Sequence, residues 1–137
     1  MLRAPFYLFY NGTERLEHMK KLALIAHDNK KADIVAWAMK NVEALKKYTL
    51  CGTGKTAELV EQATGLPVEA FLGGPYGGDL EIGAEIATHK IDIVVFFWDP
   101  LCSQPHDPDV KALMRIAAVY DIPFATNRAT ADLILGA

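Results

Sequence analysis

The chain has 137 residues, 51% hydrophobic and 23% charged, with a formal net charge of −3. This is enough for one domain with a substantial core, and the balance excludes a disordered chain. The charge offers no basic face for nucleic acid, no apolar run approaches the ~20 residues of a membrane helix, and two distant cysteines without a CxxC fit a reducing cytosol.

Residues 1–18 open with an apolar, aromatic stretch lacking an A-x-A cleavage pattern, so they read as an N-terminal extension and not as a signal peptide. Asn11-Gly12-Thr13 matches a glycosylation sequon, which carries no meaning in a cytoplasmic protein. The domain is expected to span residues 19–137. Leu22-Ala23-Leu24-Ile25-Ala26 is a continuous apolar run ending at His27-Asp28, and predicts a buried strand. Residues 30–47 place Ile34, Val35, Ala38, Met39, Val42 and Leu45 at helical spacing with lysines opposite. Tyr48-Thr49-Leu50-Cys51 predicts a second strand closed by Gly52, and residues 55–63 a helix that stops at Gly65.

Residues 68–72 predict a third strand. A helix is expected from about Asp79 to His89, interrupted in propensity by Gly83. Residues 91–98 contain Ile93-Val94-Val95-Phe96-Phe97, an apolar run without polar alternation, as in a central parallel strand covered on both faces. Residues 109–120 predict a helix, residues 123–126 a fifth strand and residues 129–135 a final helix. Strands alternating with helices define a single-domain α/β fold: a parallel sheet with right-handed crossovers.

Each polar cluster follows a strand. His27-Asp28 follows the first, Thr53-Gly54-Lys55-Thr56 the second, and Gly73-Gly74-Pro75-Tyr76-Gly77-Gly78-Asp79 the third. Asp99-Pro100 through His106-Asp107-Pro108-Asp109 follows the fourth, and Asn127 the fifth. Ligands of open α/β sheets bind at the carboxyl ends of the strands. Glycines let backbone N–H groups surround an anion, and a carboxylate beside such a loop can serve as a base. That combination suits an enzyme removing a proton from a small phosphorylated molecule, although glycine can also serve only the φ angles of a sharp turn.

Thr53-Gly54-Lys55-Thr56 imitates the end of a P-loop, but Thr49 stands where the required glycine would be. Its hydroxyls and lysine at a helix start suit phosphate, or else form an ordinary N-cap with a solvated lysine. The segment from Asp99 to Asp109 offers carboxylates and His106 for acid–base work. Helix or turn capping by Asp99 or Asp109 is the alternative. The spacing matches no regular metal motif, so no metal is expected. His27 could be only a strand-end hydrogen-bonding residue, and His18 and His89 read as surface histidines.

Ala26-His27-Asp28, Thr53-Gly54-Lys55-Thr56, Gly74-Pro75-Tyr76-Gly77-Gly78-Asp79, Phe96-Phe97-Trp98-Asp99-Pro100, Pro105-His106-Asp107-Pro108-Asp109 and Ala125-Thr126-Asn127 resemble the signature segments of the methylglyoxal synthase family. The resemblance runs from about Lys20 to Leu135. It implies a carbon–oxygen lyase that converts dihydroxyacetone phosphate to methylglyoxal and inorganic phosphate without metal or cofactor. It also implies a five-stranded sheet of order 3-2-1-4-5, a cytoplasmic homohexamer, and inhibition by inorganic phosphate.

By the same resemblance Asp79 is the catalytic base, and His106 contacts substrate oxygens and relays protons. Asp99 and Asp109 are supporting carboxylates. His27, Asp28, Lys31, Thr53, Gly54, Lys55, Thr56, Gly73 and Gly74 contact substrate or phosphate. Two departures stand out. Lys55 replaces a more usual threonine, and a C-terminal tail carried by some members is absent. A non-catalytic regulatory module of the same fold, like the ligand-binding domain of carbamoyl-phosphate synthetases, would need an anion site but no base. The joint presence of Asp79, Asp99, His106 and Asp109 argues against it, and a purely structural protein leaves the strand-end clusters unexplained.

Overall fold

The computed structural model describes residues 19–102 and 109–136. In chain order the elements are β1 (Lys21–Ala26), a 3-10 turn (Asp28–Lys30), α1 (Lys31–Lys40), α2 (Val42–Leu45), β2 (Thr49–Thr53) and α3 (Gly54–Thr64). There follow β3 (Val68–Phe71), a second 3-10 turn (Gly74–Tyr76), α4 (Gly78–Ala87), β4 (Ile93–Phe97), α5 (Val110–Val119), β5 (Phe124–Ala125) and α6 (Arg128–Gly136). The strands form a five-stranded sheet of order β3-β2-β1-β4-β5. Each pairing is parallel, with Leu24 beside both Gly52 and Val95 in the centre.

Alternate residues of the apolar strands enter different cores. Leu22, Leu24, Ala26, Val95 and Phe97 pack with Ile34, Trp37, Val60 and Ala131 from α1, α3 and α6. Ala23, Ile25, Val94 and Phe96 pack with Ile82, Ile86 and Leu113 from α4 and α5. The result is three layers, which is why β1 and β4 carry no polar alternation. Cys51 belongs to the second core, and burial pushes its thiol up to about 12, so it stays neutral at physiological pH.

Several local expectations change. The helix expected over residues 30–47 breaks at Asn41, whose Nδ2 donates to the Trp37 carbonyl at 2.8 Å. This side-chain bond competes with the helical ladder. Its buried anchor is Trp37, whose Nε1 donates to Asp132 at 2.8 Å, whereas Met39 is exposed. Gly52 lies inside β2 and does not end it. A Cβ there would stand 2.5 Å from the Leu24 carbonyl oxygen, so close approach of β1 requires glycine.

Gly65 ends α3 as expected, at φ 76° with its N–H on the Glu61 carbonyl. The fourth strand begins at Ile93, because Asp92 instead exchanges bonds with the start of β1: its N–H meets the Lys21 carbonyl and its Oδ2 the Lys21 N–H, both at 2.9 Å. His89 is not a plain surface residue. It is half-buried at φ 63°, with its ring edge-on to Tyr120 at 5.5 Å. His18 lies outside the described residues.

Candidate active site

The carboxyl edge of the sheet carries the described parts of the predicted clusters, because the strands deliver their following loops there. β1 and β4 are neighbours in the sheet, so the loops after them meet. His27 is buried, and its backbone N–H extends the ladder to the Phe97 carbonyl at 3.1 Å. Its ring stands edge-on to Phe96 at 5.1 Å, and its Nδ1 accepts the Asp99 N–H at 3.1 Å. In a neutral ring that bond puts the proton on Nε2.

Asp99 is held at both oxygens. Oδ2 accepts from Asn29 Nδ2 at 3.0 Å and Oδ1 from the Leu101 N–H at 3.1 Å. The Asn29 bond, aided by that backbone donor and the nearby Lys30 and His27, holds the Asp99 carboxyl below its ordinary value. Asp28 is exposed and meets Lys31 Nζ at 2.8 Å, while the same ammonium donates to the Ala26 carbonyl at 3.1 Å. Lys31 is thereby anchored at the end of β1.

The loops after β2 and β3 are joined by the Gly54 N–H, which donates to the Leu72 carbonyl at 3.3 Å. Thr53 occupies the N-cap position of α3 but makes no side-chain capping bond. Thr56 is buried, and its hydroxyl has no partner among the described residues. An uncapped helix start with hydroxyls beside it is suited to an anion. Lys55 differs from its neighbours: its side chain is 62% exposed and points to Glu58 at 3.7 Å.

The glycines between Gly73 and Gly78 serve different ends. Gly77 sits at φ 96°, where a side chain is strained. Gly78 packs so tightly that a Cβ would lie 1.8 Å from the Leu72 carbonyl oxygen. Gly73 has an ordinary φ of −65°, and nothing lies within 3.8 Å of a Cβ built on it. Neither backbone strain nor internal packing explains Gly73, which leaves room for a ligand to approach its backbone. Asp79 follows immediately, in the first turn of α4, and its Oδ2 accepts the Asp109 N–H at 3.1 Å.

Asp109 itself caps α5, with Oδ1 accepting from the Lys111 and Ala112 N–H groups at 3.1 and 3.2 Å. Its carboxylate thus makes the capping contacts, and it is the backbone N–H of the capped residue, not the carboxylate, that meets Asp79. The contacts thus gather His27 with Asp99, Lys31 with Asp28, Gly54 with the glycine loop, and Asp79 with Asp109. His106 lies outside the described residues. Asn29 and Glu81 escaped sequence reasoning. Asn29 adjoins the His27-Asp28 motif but resembles any polar loop residue, and the Glu81 contact with Leu72 depends on how α4 folds back on β3.

Fold and site define a doubly wound α/β domain with polar loops gathered at the carboxyl edge of a parallel sheet. Among known families, the model described as the MGS-like domain matches residues 33–126. The chain is 54% identical over 116 residues to the methylglyoxal synthase of Clostridium acetobutylicum, covering 85% of this chain and 80% of that protein. It is 56% identical over 117 residues to that of Leptospira interrogans, with coverages of 85% and 79%. The crystal structure of methylglyoxal synthase from Elizabethkingia anophelis superposes with a TM-score of 0.84 at 48% identity, covering 87% of this chain and 78% of that one. The chain belongs to the methylglyoxal synthase family.

Proposed function

We propose that this protein is a phosphate-eliminating carbon–oxygen lyase that converts dihydroxyacetone phosphate to methylglyoxal and inorganic phosphate. Beyond family membership, the observation that carries the reading is Asp79, placed at the start of α4 directly after the glycine loop, with one carboxylate oxygen bound to the Asp109 N–H. The other oxygen has no bond among the described residues and can take a proton. Phosphate is assigned to the Gly73-Gly74 backbone, the start of α3 with Thr53 and Thr56, and the Lys31 ammonium, while Gly54, whose N–H is held by the Leu72 carbonyl, shapes the turn between them. Lys55 adds charge from the rim.

Asp79 removes a proton from the hydroxymethyl carbon, and the electron pair moves into an enediolate. Donors at the developing oxygen stabilise this charge; His106 is assigned this contact and the proton relay. Loss of the hydroxyl proton forms the aldehyde, the double bond shifts toward the phosphate-bearing carbon, and the C–O bond electrons leave with phosphate. The enol that remains takes a proton on carbon to become methylglyoxal. Asp99, kept ionised, supports the site from the neighbouring loop, and Asp28 holds Lys31.

No helix of the described residues is long and apolar enough to cross a membrane. A cytoplasmic location and a homohexamer complete the proposal. Exposed Leu72, Tyr76, Leu80 and Leu101 offer apolar surface for assembly beside the site. The test measures methylglyoxal, phosphate and glyceraldehyde 3-phosphate from dihydroxyacetone phosphate, with and without EDTA. Equal methylglyoxal and phosphate, little glyceraldehyde 3-phosphate and no effect of chelator support the lyase. Dominant glyceraldehyde 3-phosphate means an isomerase, and EDTA-sensitive turnover brings back a metal.

A further inference from the structure

Leu72 is the point where the two anion loops and the base converge. It lies just beyond the last β2–β3 ladder pair, Thr53 with Phe71, so its N–H has left the sheet. That N–H is taken by the Glu81 carboxylate, nine residues later on α4, at 2.7 Å. The carbonyl of the same residue accepts the Gly54 N–H at 3.3 Å, at the start of α3. Gly78, immediately before Asp79, presses on that carbonyl oxygen so closely that no Cβ fits. The Gly73 carbonyl accepts the Tyr76 and Gly78 N–H groups at 3.0 and 3.1 Å and closes the loop above it.

We propose that Glu81 is a positioning residue: by accepting the Leu72 N–H it fixes the residue against which both anion loops and Asp79 are set. This rests on the lyase reading of the same site. A short bond donated to a charged acceptor is the strongest kind of hydrogen bond available to a backbone N–H. It also ties α4, which carries the base, to the strand that opens the glycine loop. Without it, α4 and the loop keep their packing but lose this tether, and placement errors of ~1 Å cost on the order of 10²-fold in rate.

The test compares Glu81→Ala, Glu81→Asp and Glu81→Gln with the wild-type protein, each first checked for native circular dichroism. The readouts are kcat and KM for dihydroxyacetone phosphate, the Kd for inorganic phosphate, and hydrogen exchange at the Leu72 amide. Glu81→Ala, and Glu81→Asp with its shortened reach, are expected to exchange faster at Leu72, to lose about tenfold or more in kcat/KM and to bind phosphate more weakly. Glu81→Gln, which keeps an acceptor at the same reach, should recover to within about threefold.

A purely structural Glu81 would lower the melting temperature and leave the kinetics of the folded protein unchanged, which overturns the proposal. Glu81→Gln as impaired as Glu81→Ala overturns it too. If Glu81→Ala does not fold, the contrast between Asp and Gln decides. An inactive wild-type protein would instead defeat the lyase reading, and the positioning claim would then stand or fall on phosphate affinity and Leu72 exchange.

Discussion

Gly78→Ala is the sharpest steric probe of the site. The added Cβ would stand 1.8 Å from the Leu72 carbonyl oxygen, 2.8 Å from its carbon and 3.2 Å from the Gly73 oxygen. These are backbone atoms, so no side chain can swing aside. Ordinary carbon–oxygen contact needs more than ~3 Å, and α4 must therefore move from the loop by about 1 Å. Overpacking of this kind costs about 1–3 kcal/mol of stability. The same displacement moves Asp79, the next residue, and a shift of ~1 Å predicts a loss on the order of 10² in kcat/KM.

Gly83→Ala on the same helix is the control. Its nearest neighbour would be Leu113 Cδ2 at 3.8 Å, an ordinary contact, so alanine should fit and stabilise α4 by up to ~1 kcal/mol. Urea unfolding and steady-state kinetics on both variants measure the two effects. A folded Gly78→Ala protein with kcat/KM within twofold of wild type would refute the idea that this close approach sets the base.

Asn29→Ala should raise the Asp99 pKa, since the Asn29 bond is the largest influence holding it low. A depressed carboxyl contributes stability that is present above its unfolded value and is lost as pH falls through the folded one. The acid-unfolding midpoint and the acid limb of kcat/KM should therefore both move to higher pH; unmoved curves would show that the bond has no such effect. Lys55→Ala should raise KM and weaken phosphate inhibition by no more than about fivefold with kcat unchanged, because an exposed charge is worth at most ~1 kcal/mol. Unchanged KM and inhibition would leave Lys55 as a solvated lysine paired with Glu58.

The layered fold was legible because its signals are local. The apolar run through Val94, Val95 and Phe96 announces a central strand, and Gly65 announces a helix end. The break at Asn41 was not legible, because it depends on one side chain turning back to the Trp37 carbonyl. The burial of Trp37 depends on Asp132, 95 positions away. Gly52 was misread as a strand end because a glycine demanded by a neighbouring strand looks like one demanded by a turn.

The site divides in the same way. Strand-end placement made His27, Thr53, Gly73, Asp79 and Asp99 readable as a group. The order of the strands came only from family resemblance, and it is this order that brings His27 to Asp99. Asp109 was read both as a cap and as a site residue; its carboxylate caps α5, while its backbone N–H meets Asp79. Asn29 and Glu81 act through hydrogen bonds spanning loops, which periodicity cannot reveal.

Asp79 is the base on which the proposed elimination depends. The most direct measurement is methylglyoxal formation by Asp79→Asn, an isosteric change that keeps an oxygen for the Asp109 N–H, alongside binding of inorganic phosphate. The expected result is a folded protein with wild-type phosphate affinity and a kcat lower by ~10²–10⁴. Near-normal kcat in that folded variant would contradict it.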